Sequence, residues 1–83
     1  MAADFYAGGY SFRRMDFSEV KELEVGDIIH VCINMDFPSK MEFIKATVVR
    51  PLFWNSDADE PGWELETDNC FADAYSIYEV KQI

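Results

Sequence analysis

The segment from Val48 to Tyr78, VVRPLFWNSDADEPGWELETDNCFADAYSIY, decides how the chain folds. Within it Trp63-Glu64-Leu65-Glu66-Thr67 alternates with the two-residue period of a strand. That period sets Trp63, Leu65 and Thr67 inward and Glu64, Glu66 and Asp68 outward. Asn55 to Gly62 is crowded with turn formers and acids, so it reads as the loop entering that strand. Asp68-Asn69 is expected as a two-residue turn and Phe71 to Ala74 as a short return strand. Ala74 to Ile77 then makes one tight helical turn before a last strand from Tyr78 to Gln82.

Upstream, Met41 to Arg50 reads as a long, bent strand with both faces covered in part. Ile44, Ala46 and Val48 alternate there with Phe43, Lys45, Thr47 and Val49. Pro51 has no N–H to give a ladder and marks a bulge, an edge or the strand's end. After it, Leu52 and Trp54 point one way and Phe53 the other. An earlier strand runs from Ile28 to Met35, with Ile29, Val31, Ile33 and Met35 on its core face; Asp36 to Lys40, containing Pro38, breaks it from the next. His30 falls on the half-polar side and is read as a strand-surface side chain. Asp16 or Ser18 caps a helix of one or two turns whose apolar stripe is Phe17, Val20 and Leu23, stopped by Gly26-Asp27.

Residues 1–14 stand apart as an arm, with Phe5, Tyr6, Tyr10 and Phe12 around a Gly8-Gly9 turn. The arm either frays or lays its aromatics on the body as an extra strand. Arg13 and Arg14, the only adjacent bases, are expected to sit against acids. Residues 15–83 then make one small domain.

Composition narrows the function. With 49% hydrophobic and 16% aromatic residues, the chain has the material for a core despite a net charge of −9. No apolar run approaches the ~20 residues needed to span a bilayer, and the N-terminus lacks the basic and apolar blocks of a secretory signal. A cytoplasmic protein is the expectation. Its 16 acids against 7 bases repel phosphates, which argues against direct binding to nucleic acid or to anionic membranes. Cys32 and Cys70 share no metal-type spacing with His30, the single histidine, and are read as free, packed thiols.

The order of short strands with little helix implies a mainly β fold, a small barrel or sandwich. Val25-Gly26-Asp27-Ile28-Ile29, Ala46-Thr47-Val48-Val49 and the closing Ala74-Tyr75-Ser76-Ile77-Tyr78-Glu79-Val80 resemble SH3-like small barrels, a likeness spanning about two thirds of the chain. The resemblance implies a barrel of about five antiparallel strands with one short helix near the N-terminus. It constrains the fold far more than the activity.

Two kinds of chemistry find no support in the motifs. Asp57-Ala58-Asp59-Glu60-Pro61-Gly62, followed by Asp68, approaches a calcium loop, but Pro61 replaces a ligand, Asp68 is shorter than the usual bidentate Glu, and strands flank it. No metal or other cofactor is expected. Asp57, Asp59 and Glu60 sit at a loop tip with no cleft to separate their pKa values, and no nucleophile motif accompanies the one histidine. The protein is expected not to be an enzyme.

What remains is binding. From Pro51 to Val80 there is no Lys or Arg but eight acids: Asp57, Asp59, Glu60, Glu64, Glu66, Asp68, Asp73 and Glu79. Alternate acids on one strand would lie about 6.8 Å apart, roughly two steps of a nucleic-acid strand. Thirteen Phe, Tyr and Trp side chains are also more than one small core hides. In size, charge and aromatic content the chain resembles the phage-encoded inhibitors of host defence, of the anti-CRISPR or anti-restriction type. That resemblance implies a nucleic-acid mimic, in the host cytoplasm if phage-encoded, covering the basic nucleic-acid-binding surface of a defence protein. Asp57, Asp59, Glu60, Glu64, Glu66 and Asp68 would meet its Arg and Lys, with Trp54 or Phe53 as an apolar anchor. The alternative is a small adaptor or a subunit of a larger phage or bacterial assembly without inhibitory activity. Monomer and homodimer are both open.

Overall fold

Glu42–Asn55 is the strand on which both halves of the molecule hang. In the computed structural model, which describes residues 3–33, 42–57 and 59–83, it is the fifth member of one antiparallel sheet. The strands are β1 (Phe5–Ala7), β2 (Tyr10–Arg14), β3 (Ile28–Ile33), β4 (Glu42–Asn55), β5 (Gly62–Thr67), β6 (Phe71–Asp73) and β7 (Ile77–Gln82), with one helical turn, α1 (Phe17–Val20). Their order across the sheet is β1-β2-β7-β3-β4-β5-β6. The long break expected at 36–40, with Asn34, Met35 and Met41 beside it, lies outside the described residues.

Register in β4 shifts between Val48 and Arg50 and again between Arg50 and Phe53, so Pro51 falls within an irregular stretch of the β4–β5 ladder. A missing N–H is tolerated at such a bulge, and bulges bend a strand. The bend lets the first half of β4 pair with β3 and the second half with β5. Val20, Ile29, Val31, Val48, Leu65, Ala72, Ala74 and Ile77 form the buried core inside that fold of the sheet. Phe17 and Leu23 lean on it from α1 and the turn after it, as their spacing with Val20 requires. Glu19 fixes the start of α1 by accepting the Asp16 N–H at 3.0 Å.

The N-terminal residues are two strands. Gly8 and Gly9 have φ of 57° and 82°, left-handed values that suit the two central residues of a tight hairpin and that glycine adopts without strain. β2 then pairs along its whole length with β7, from Tyr10 opposite Gln82 to Arg14 opposite Tyr78.

This pairing corrects the expectation of a five-strand SH3-like barrel. The sheet has seven strands and does not close, because β7 is occupied on one edge by β2 and on the other by β3. No edge of β7 is left to receive β6, although only residues 74–76 separate the two in sequence. The expected two-residue turn at Asp68-Asn69 is a three-residue link, 68–70. Thr67 holds it, its hydroxyl donating to the Cys70 carbonyl at 2.8 Å and accepting from the Asn69 and Cys70 N–H groups. No helix among the described residues is long and apolar enough to cross a membrane.

Candidate functional site

The candidate binding residues fall on the β4–β5–β6 part of the sheet, and the bent hairpin divides them between two faces and two ends. Trp54 lies opposite Trp63 in the β4–β5 ladder, with ring centroids 5.5 Å apart at 76°. Phe17 of α1 meets Trp63 at 5.8 Å and 68°, and Tyr75 stacks beside Phe17 at 6.4 Å. These four rings form a row along the open mouth of the core. Trp54, Trp63 and Tyr75 are 53%, 40% and 57% exposed, so they do not fill the interior.

Phe53 is on the other face, as alternation requires. The Arg50 guanidinium lies over its ring, 3.7 Å from the centroid, and Phe71 approaches it edge-on at 6.5 Å. Around these, Glu64 faces Asp73 across the β5–β6 ladder, and Glu66 stands between Arg50 and Phe71. Glu64 accepts a hydrogen bond from the Asn55 amide at 3.3 Å, and Asp73 accepts the Tyr75 N–H at 2.7 Å. Neither bond supplies a full positive charge. Like charges opposed across a ladder are destabilising, so this acidic face is built at some cost to the sheet.

Asp57, Asp59 and Glu60 are exposed at the hairpin tip, next to the Trp54–Trp63 pair. There the Asn55 side chain accepts the Asp57 N–H at 3.0 Å and shapes the entry to the loop. Asp68 is at the opposite end of β5, past the strand's last residue. Its carboxylate accepts the Thr47 N–H at 2.9 Å, while its own N–H goes to the Thr47 carbonyl. It therefore extends the pairing of β4 beyond the bulge and does not share a surface with the tip acids. Phe53, Glu64 and Glu66 come together, as do Trp54 and the tip; the two groups face apart.

Six members of this region, Trp63, Phe17, Tyr75, Phe71, Arg50 and Asp73, are not among the binding residues that the sequence singles out. Trp63 was set inward by its period, which is right for Leu65 and Thr67 and fails at the end of the hairpin, where β4 and β5 run past the core. Phe17 and Tyr75 reach the row through α1 and the 74–76 turn, contacts that no local pattern announces. Phe71 is 60% exposed on the acidic face. Its signal was available, since it alternates with Ala72 at the sheet's edge.

Charge is handled differently at the other end. Arg13 donates to both oxygens of Glu19 at 2.8 Å and also to Glu79, which Lys81 reaches at 2.7 Å. The Arg13 guanidinium, aided by the Asp16 N–H, holds the Glu19 carboxyl down at about 2. Lys81 and Arg13 together keep Glu79 below its ordinary range. On the second face of the same strands Phe5, Phe12, Phe43 and Tyr78 pack ring to ring, with Phe12 and Phe43 4.7 Å apart although β7 and β3 lie between their strands. The sheet is concave there, and a groove of about 510 Å³ opens beside the rings, with His30 and Lys45 in its lining. Burial and the Lys45 charge lower the His30 pKa, and burial raises that of Cys32. Both cysteines are free thiols. Among the described residues no group of His, Cys, Asp and Glu is placed to hold a metal ion.

No protein-family model, curated protein or solved structure matches the chain.

Proposed function

We propose that the protein is a binding module that meets a basic partner protein through the acidic, aromatic-edged β4–β5–β6 region. In its most concrete form it is an inhibitor covering the nucleic-acid-binding surface of a defence protein, of the anti-CRISPR or anti-restriction type. The observation that carries this reading is the opposition of Glu64 and Asp73 on a face where, among the described residues, the cation Arg50 is turned onto Phe53. A surface that only needed solubility would gain more from mixed charges, which cost the sheet nothing. Carboxylates that form no salt bridge among the described residues offer a partner's Arg and Lys what a phosphate backbone offers them.

The test is retention of host proteins on the tagged protein at low and at high salt, followed by a competition assay. The expected result is a nucleic-acid-binding protein that washes off as salt rises and loses its DNA or RNA when the acidic protein is added. Substituting Glu64→Gln, Glu66→Gln and Asp73→Asn together should abolish that competition. A partner held through high salt and indifferent to these changes would instead support the adaptor reading, which the exposed Trp54, Trp63 and Tyr75 rings favour.

A further inference from the structure

The row Trp54, Trp63, Phe17 and Tyr75 leaves three of its four rings exposed, and it adjoins three exposed carboxylates. Three of its rings are tilted steeply against one another, at 76° between the tryptophans and 68° between Trp63 and Phe17, while Tyr75 lies at 29° to Phe17. Such an arrangement presents walls as well as a floor, and a planar group can lie against one wall with its edge turned to the acids. We infer that this row is a seat for arginine side chains of the partner protein, each guanidinium stacking on an indole while Asp57, Asp59 or Glu60 takes its N–H groups. The inference rests on the acidic-surface reading above and specifies the chemistry of the partner.

Three observations select arginine. The tip supplies negative charge and no base, so the occupant is a cation. The rings demand a cation that gains from lying flat on an aromatic face, which a planar and weakly hydrated guanidinium does better than a compact, strongly hydrated ammonium. The same hairpin already contains the contact in miniature, with the Arg50 guanidinium 3.7 Å from the Phe53 centroid on the opposite face. The phosphate-binding surfaces that an acidic mimic would cover are themselves rich in arginine.

Both tryptophans of the chain lie in this row, so intrinsic fluorescence reads the site directly. The experiment titrates the protein with two synthetic peptides of equal charge and spacing, one carrying arginines and the other lysines, following fluorescence and heat. The expected result is that the arginine peptide binds about fivefold more tightly and alone perturbs the tryptophans strongly. Trp54→Ala should bring the arginine peptide down to the lysine level, and Trp54→Phe, which keeps a ring, should recover part of the loss. Asp57→Asn, Asp59→Asn and Glu60→Gln together should weaken both peptides. Equal binding of the two peptides, unchanged by Trp54→Ala, would overturn the arginine seat and leave the acidic surface standing. Failure of both peptides to bind would overturn both readings.

Discussion

At the β1-β2-β7-β3 end of the sheet, Phe5, Phe12, Phe43 and Tyr78 cover one another, and Arg13 gathers Glu19 and Glu79 around one guanidinium. At the β5–β6 end, Trp54, Trp63, Tyr75 and Phe71 stand in solvent, and Glu64 faces Asp73 with no salt bridge to either among the described residues. Both ends are made of rings and carboxylates. The difference is that the first satisfies its groups internally, whereas the second keeps them available, and the bulged middle of β4 lets one strand serve both. On the proposed reading, stability and binding are thereby placed on different parts of an 83-residue chain.

The sharpest way to break this comparison is to remove one ring from each end. Phe43 touches Phe5, Phe12 and Tyr78, so Phe43→Ala should cost about 3 kcal/mol, near the low end for deleting a packed phenyl ring. Trp54 is larger but half exposed and touches one ring among the described residues, so Trp54→Ala should cost less than about 1 kcal/mol. Urea unfolding of the two variants decides it. Comparable losses would mean that the Trp row belongs to the core after all.

Charge offers the next contrast. Arg13→Ala leaves Glu19 and Glu79 without their shared guanidinium and should cost about 1 kcal/mol, the upper range for a surface ion pair. Its pH signature is more specific. Glu19 is held near 2 against an ordinary 4.5, and Glu79 is lowered as well, so their contribution is complete above about pH 4.5. It is lost as pH falls toward 2, because the unfolded chain takes up those protons first. His30 adds an earlier step. Its folded pKa is lowered from 6.5, so stability should begin to decline as pH drops below that value. Melting curves across this range should show both declines in the parent protein, with the lower one flattened in Arg13→Ala and the upper one absent in a His30→Gln variant.

The sequence discloses the local half of this design and hides the rest. Period-two alternation places Ile29, Val31, Leu65 and Thr67 correctly because strand direction is written into neighbouring residues, and the short helix is announced by Asp16 or Ser18 as its cap, of which the structure uses Asp16. Pro51 signals a bulge, an edge or a strand's end, and the ladder places it within a bulged stretch. The joining of β2 to β7 depends on Phe12 finding Val80, a pairing between the two ends of the chain that no window contains. The site divides in the same way. The run of acids without a base and the opposition of Trp54 to Phe53 are legible in the residues themselves. The Arg50 stack, the meeting of Glu64 with Asp73 and the addition of Phe17 and Tyr75 to the tryptophans appear only when strands separated in sequence are brought side by side.

The smallest expected effect separates the two ends most cleanly, because its sign is opposite. Glu64→Gln with Asp73→Asn removes two facing charges while keeping both side chains' shapes and acceptors, including the Asp73 bond to the Tyr75 N–H and the Glu64 bond from Asn55. If these acids serve the fold, the change should destabilise it. If they are held against the sheet's own preference, relieving a like-charge pair should stabilise by about 0.5 kcal/mol, less at high salt where the repulsion is screened. A rise in the unfolding midpoint at low salt, shrinking as salt is added, is the expected outcome, measured beside Glu19→Gln, for which the midpoint should fall. A protein that becomes more stable when its acidic face is neutralised, yet loses its partner by the same change, maintains that face for binding.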